Sequence, residues 1–292
     1  MSKTIDGKAL GWRRDLPDYR DYTRETPDIQ KTLKEGKALR SAKAAQPPTV
    51  DLRQWCSPVE DQKQLGSCTA NAGVGLVEYF QKKAYGTYID ASRLFLYKAT
   101  RNLMHETGDT GAYLRETMKA MVLFGVPPEE YWPYTDQDPD FDVEPPAFHY
   151  AFGQQYNTIN YYRLDPPATP KDALLDRIKT TLATQLPAMF GFTVYSSIRQ
   201  AGKDGKIPMP CPQERIEGGH AIAAVGYDDA MKIKNACDQE TTGALLIRNS
   251  WGDKWGDGGY GWLPYEYVLK GLAVDWWSLV QAEWINLGTF VE

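Results

Sequence analysis

Apolar residues recur at helical spacing three times in the first half of the chain, then give way to strand-like runs. From Ser67 to about Tyr85, Ala70, Val74 and Val77 fall on one stripe and Ala72, Leu76 and Phe80 on its neighbour. The result is a wide apolar face of 3.6-residue period, which predicts a central helix. Gly73 and Gly75 lie inside it, and their expected use is close approach of another backbone. "SRLFLYKATRNLMHE" and "GAYLRETMKAMVLFG" predict two further helices, the second stopped by Gly125 and Pro127. "TPKD" at 169–172 offers a cap and a first-turn proline to the helix "ALLDRIKTTLATQ". After Pro187, "AMFGFTVY", "GHAIAAVGYDD", "GALLIRNSW" and "GGYGWLPY" read as strands, and the polar stretch Asp229–Thr242 as a long hairpin loop. Residues 135–170 show no steady period. A helical half followed by a strand-rich half predicts an α+β fold of two lobes with a groove between them.

The first 46 residues differ from the rest. They are polar and punctuated by proline, with one short helix expected around Pro27–Arg40, and "QPPTVDLRQW" reads as extended chain leading into the body. The expected domains are therefore an arm, 1–46, and a body, 47–292, split at about 135/136 into a helical and a strand-rich part. Eleven basic and seven acidic residues give the arm +4, so within a net charge of −5 the body carries −9. That balance argues against nucleic acid as the main partner. No run of 18 apolar residues suggests a membrane span, and "MSKTIDGKALGWRRDLPDYRDY" lacks the apolar core of a secretory signal. The expected location is cytoplasmic, or outside the cell by a route without a standard signal.

The chemistry centres on Cys68, at the start of the predicted central helix. Thiols react as thiolates, and a helix N-terminus favours that charge. Of three histidines, His105 and His149 read as surface groups, whereas His220 follows two glycines and opens a near-continuous apolar strand in "EGGHAIAAVGY". A ring there needs a partner. "IRNSWGDKWGDGGYGW" offers Asn249, whose amide can orient an imidazole, beside Trp251, which can keep water from that bond. No C-x-x-C pair suggests structural zinc; if Cys68 is free, Cys56, Cys211 and Cys237 allow at most one bridge.

Gln62 with "GSC" at 66–68, "GGHAIAAVGY" at 218–227 and "RNSWGDKWGDGGYGW" at 248–262 together resemble the papain-like cysteine peptidases, over about Asp51 to Trp262. His220 follows Cys68 by 152 positions, close to the family's roughly 130–150. The resemblance implies a papain-like two-lobe fold with a helical left lobe and a β-barrel-like right lobe. It assigns Cys68 as nucleophile, His220 as general base and acid, and Asn249 as the group that orients His220. Gln62 becomes an oxyanion donor beside the backbone N–H of Cys68, with thiolate and imidazolium as an ion pair. Trp251 would cover the His220–Asn249 bond and Trp255 stand on the leaving-group side. The pocket for the second residue before the scissile bond would be lined by Gly111, Ala112, Ala188–Phe192, Gly218, Gly219 and Ala221. Small and apolar, it predicts hydrophobic or aromatic side chains there.

No metal or organic cofactor is implied, and the implied partner is a protein or peptide substrate. The pattern departs from the family's at Leu65, where a disulfide cysteine is usual, and at Thr69, where an aromatic is usual; losing that bridge suits a reducing setting. The arm is shorter than the family's inhibitory propeptides, yet "LPDYRDYT" could lie along a cleft, as a removable segment, a strap or a free tail. Two other activities are open on this scaffold: a thiol acyltransferase or transpeptidase, and a catalytically silent binding module.

Overall fold

The apolar face expected at 67–85 is the axis of the molecule. In the computed structural model, which describes residues 3–35, 46–156 and 160–280, that helix spans Cys68–Tyr85 and every residue from Cys68 to Phe80 is buried. In chain order the elements are β1 (Lys3–Ile5), β2 (Lys8–Leu10), β3 (Trp12–Arg13), α1 (Pro27–Glu35), β4 (Thr49–Asp51), α2 (Cys68–Tyr85), α3 (Arg93–Leu103), β5 (Ala112–Tyr113), α4 (Leu114–Phe124) and α5 (Ala147–Gly153). There follow β6 (Asn160–Arg163), α6 (Lys171–Ala183), β7 (Ala188–Tyr195), β8 (Ile216–Lys234), β9 (Glu240–Arg248), β10 (Tyr260–Pro264), α7 (Tyr265–Leu269) and β11 (Ala273–Val280). Helix α2 packs on α3 and α4 on one side and on β7 and β8 on the other. Its buried N-terminus therefore lies where the two halves meet.

The strand-rich half is an open antiparallel sheet ordered β10-β9-β8-β7-β11-β6, with β4 paired to β8. Among the described residues it does not close, so the barrel-like expectation is corrected to a twisted sheet backed by helices. The expected long loop at Asp229–Thr242 is mostly ladder: Lys232, Ile233 and Lys234 pair with Thr242, Thr241 and Glu240. Main-chain bonds hold that ladder, so its polar side chains do not break it. α6 begins at Lys171 with Pro170 before it; the hydroxyl of Thr169 donates to the Pro166 carbonyl instead of capping the helix. The two helix glycines admit side chains, not backbone. A Cβ on Gly75 would overlap the Arg248 guanidinium, and one on Gly73 would crowd Met121 and Leu96. Arg248 reaches through to donate to Ser57 and to the Pro58 carbonyl. Cys211 and Cys237 form a disulfide, while Cys56 and Cys68 are free and buried.

The arm is built into this body. Ile5, Leu10, Ile29 and Leu33 are buried in the common core. Helix α1 is described over Pro27–Glu35, and the rest of the expected helix to Arg40 lies outside the described residues. "LPDYRDYT" does not lie along the cleft: Leu16 and Tyr19 are exposed, and Asp21 instead takes two 2.7 Å bonds from Arg115. Asp21 belongs to a buried cluster with Asp15, Asp165, Asp275, Arg115 and Arg163. Arg163 reaches Asp275 at 2.8 Å, Asp165 at 3.0 Å and Asp21 at 3.2 Å. Asp15 accepts from Trp277, and its own N–H donates to Asp275.

Four carboxylates thus face two guanidiniums. Burial first, and the nearby charge of Asp15 second, push Asp275 up to about 7. A carboxyl raised in the folded state stabilises it fully below the ordinary carboxylate pKa, and that stability is lost as pH rises through about 7. We expect thermal melts between pH 4 and 8 to show this loss in the wild-type chain and a flatter profile in Asp275→Asn; parallel profiles would contradict a raised Asp275 carboxyl.

Candidate active site

Three segments converge on the N-terminus of α2. The first is the loop before it, ending in Ser67, whose hydroxyl lies 2.7 Å from that of Tyr134. The second is β8, whose central stretch opens with His220. The third is the turn after β9, Asn249–Trp251. Loop and turn are laced together, since the N–H of Gln62 donates to the Ser250 carbonyl and that of Gly252 to the Glu60 carbonyl. Gln62 through Ser250, and His220 through Asn249, are thereby tied to one turn although far apart in sequence.

His220 Nε2 lies 2.8 Å from the Asn249 amide oxygen. Because that oxygen accepts, Nε2 carries the hydrogen and Nδ1 is left bare. Trp251 stacks on the ring with centroids 4.8 Å apart and planes at 25°. Trp255 stands edge-on to Trp251 at 5.7 Å. The ring is completely buried, as is Cys68. The side chain of Gln62 is also buried: its amide oxygen accepts from the Ser250 hydroxyl at 2.6 Å, and its NH₂ donates to the carbonyls of Ala9 and Leu65, both at 3.0 Å. Ser250 and Tyr134, whose hydroxyl donates to the Gln62 carbonyl at 2.8 Å, position the glutamine and were not singled out from sequence. Adjacency to Asn249 was the only available signal for Ser250. Leu65 is buried where the family's disulfide cysteine was expected, and Thr69 is buried with its hydroxyl unbonded among the described residues.

The arm crosses this site. Ala9 N–H donates to the Lys63 carbonyl, and the Gly11 carbonyl accepts from Ala112 N–H at 2.8 Å. β3 then pairs in parallel with β5, Trp12 beside Ala112 and Arg13 beside Tyr113. The approach is so close that a Cβ on Gly11 would fall 1.9 Å from the Gly66 oxygen. Trp12 fills the space expected to be the specificity pocket: its indole abuts Gly191 and Gly219, and Leu10 lies over Gly218. These glycines admit the arm's side chains because they have none. At the other end, Lys8 contacts both oxygens of Asp61 at 2.6 Å. Beside it an open cleft of about 690 Å³ is walled by Trp251, Trp255, Asp61 and Arg199.

Under this cover burial disfavours the charged forms of both Cys68 and His220. Burial pushes the Cys68 thiol up to about 11, opposed by the backbone N–H groups of Ala221, Gly11 and Thr69. Burial also pulls His220 down to about 4, opposed by the bond to Asn249. Nδ1 has no hydrogen-bond partner among the described residues. The expected thiolate–imidazolium pair is therefore not the state of the covered site, because removing water penalises both charges. His149 and His105 take no part: His149 Nε2 lies 2.9 Å from the Tyr131 carbonyl, and His105 is exposed after α3. Among the described residues no cluster of His, Cys, Asp and Glu is arranged to hold a metal.

Comparison with known proteins places this geometry among relatives. The profile of the family described as "Papain family cysteine protease" matches residues 46–269. An uncharacterized peptidase C1-like protein of Acanthamoeba polyphaga mimivirus is 33% identical over 297 residues, covering 96% of this chain and 89% of the relative. Cathepsin K of Gallus gallus is 28% identical over 218 residues, which span 73% of this chain but only 58% of that protein. Among solved structures, xylellain, a cysteine protease from Xylella fastidiosa, superposes with a TM-score of 0.73 at 32% identity, covering 96% of this chain and 99% of that one.

Proposed function

The chain belongs to the papain family of cysteine proteases, and from that premise we propose that Cys68, His220, Asn249 and Gln62 carry out peptide hydrolysis beneath an arm that acts as a resident inhibitor. One observation carries the reading: the Gln62 amide, in the loop that leads to Cys68, already holds a peptide carbonyl of the arm, that of Ala9. With substrate in place of the arm, the same NH₂ and the backbone N–H of Cys68 stabilise the oxyanion formed when the sulfur attacks. His220, held by Asn249 and shielded by Trp251, takes the thiol proton on Nδ1 and passes it to the leaving amine. It then activates the water that releases the acyl group. No metal or organic cofactor is needed for these steps.

The arm escapes cleavage because of what it presents. The arm's carbonyls at the crossing are already engaged, that of Ala9 by the Gln62 amide and that of Gly11 by the Ala112 N–H. The chain also runs from the Trp251–Trp255 side toward the Trp12 pocket, opposite to a substrate whose acyl part lies in that pocket. The pocket itself, filled by an indole between Gly191 and Gly219, supports selection of aromatic or large apolar side chains. For location, the described residues contain no helix long and apolar enough to cross a membrane. The Cys211–Cys237 bridge supports the exported alternative, because disulfides persist in oxidising compartments.

The test uses the full chain carrying Trp12→Ala and fluorogenic peptides that differ in the second residue before the reporter. We expect hydrolysis with Phe or Trp there to exceed that with Arg by at least tenfold in kcat/KM. Equal rates, or an Arg preference, would refute the pocket assignment.

A further inference from the structure

The arm occupies a second recognition feature that neither catalysis nor the aromatic pocket explains. Arg13 Nη1 lies 2.7 and 2.6 Å from the two carboxylate oxygens of Glu106, and Nη2 donates to the Tyr113 hydroxyl at 2.8 Å. The guanidinium carbon sits 4.5 Å from the centre of the Tyr113 ring. One carboxylate and one tyrosine, through its oxygen and its ring, thus meet one planar cation, a constellation suited to the Arg fork and less so to the compact ammonium of Lys. Glu106 comes from the loop after α3, where its N–H is tied to the Arg101 carbonyl; Tyr113 comes from β5, next to the pocket residue Ala112. Both belong to the body and stay when the arm leaves. An open groove of about 540 Å³ lies between the arm, at Lys3 and Leu10 to Arg13, and the body residues Glu106, Asp109 and Thr110.

We propose that Glu106 and Tyr113 form a guanidinium-binding subsite that selects arginine as the third residue before the scissile bond of a substrate. The inference rests on the peptidase reading above and adds a residue to its specificity. The order of contacts fixes the position. Counting along the arm from the loop that leads to Cys68, Gly11 lies against Gly66, Trp12 fills the aromatic pocket and Arg13 reaches Glu106. A substrate running the other way places the residue whose carbonyl is attacked, the pocket residue and the next residue at the same three stations. Side-chain pockets are indifferent to backbone direction as long as Cβ enters from the same side. Substrates of this enzyme then carry Arg followed by an aromatic residue, and the arm competes by offering the same two groups in reverse order.

The Glu106 and Arg13 side chains are 29% and 36% exposed, so the preference is moderate and screened by salt. The experiment has two arms. In the full chain with Cys68→Ala and Trp12→Ala, calorimetry compares uncut peptides that share a Phe in the pocket position and differ only in Arg or Ala before it. We expect the Arg peptide to bind roughly threefold to tenfold more tightly, with the ratio shrinking as salt is raised. Glu106→Gln should reduce the ratio to near one. In the Trp12→Ala chain with Cys68 intact, kcat/KM for the same pair should show the same ratio. Equal binding of both peptides, or a ratio unaffected by Glu106→Gln, overturns the subsite. A salt-sensitive Arg preference in binding without any turnover supports the subsite and overturns the peptidase roles instead.

Discussion

Replacing Cys68 by alanine in a full chain opened by Trp12→Ala lowers peptide hydrolysis by on the order of 10⁶-fold, as loss of the nucleophile does in a comparable acyl-transfer triad. Only sulfur is removed from a buried position, so the melting temperature should move by a few degrees at most. Residual turnover comes from Gln62 and binding alone. Because nucleophile and base act as one unit, adding His220→Ala to Cys68→Ala should cost little more. Progress curves with a fluorogenic peptide, set against melting curves for the same proteins, read both effects. Hydrolysis reduced less than tenfold by Cys68→Ala would show that another group attacks.

Opening the cleft has the second largest effect, and it acts on ionisation as well as access. With Cys68 at about 11, roughly one thiol in 10⁴ is ionised at pH 7. Removing the Trp12 indole frees the pocket formed around Gly191 and Gly219 and loosens the Lys8–Arg13 strap while Asp15 and Asp21 keep the arm attached. Water then returns to Cys68 and His220, and each regains its tendency to charge. A fully ionised thiolate gains about 10⁴-fold in concentration; its lower basicity reduces intrinsic nucleophilicity by about 10². The net expectation is iodoacetamide alkylation of Cys68 at pH 7 faster by on the order of 10²-fold, with Cys56 unaffected as an internal control because it is buried elsewhere in the core. Equal rates in wild type and Trp12→Ala would mean that the arm does not control the thiol.

The four proposed catalytic residues were legible because their motifs are local and their order along the chain is constrained. The central helix was legible for a different reason: its apolar face extends almost around its circumference, and residues 68–80 are all buried. β11 was missed. "AVDWWSLV" breaks alternation at Asp275, and its pairing to β7 shifts register between Val274 and Trp277, so no steady period marks it. The cleft-crossing part of the arm was also invisible. Lys8–Leu10 and Trp12–Arg13 are too short to show a period and are held by partners near Lys63 and Ala112. "LPDYRDYT" drew attention by composition, but its Asp21 is needed as counter-charge to Arg115 and Arg163, a role that only the folded cluster reveals. Glycines announced close approach at both Gly75 and Gly219 without saying what approaches: a guanidinium from the same body in one case, the arm's indole in the other.

The most direct measurement follows the rate of Cys68 alkylation from pH 4 to 10 in the Trp12→Ala chain, with and without His220→Gln. Sharing of the thiol proton with His220 predicts reactivity that rises with a midpoint well below the ordinary thiol value of about 8.5 and returns to that value or higher in His220→Gln. A midpoint at or above 8.5 with His220 in place, unchanged by its replacement, would contradict the pairing on which the catalytic assignment stands.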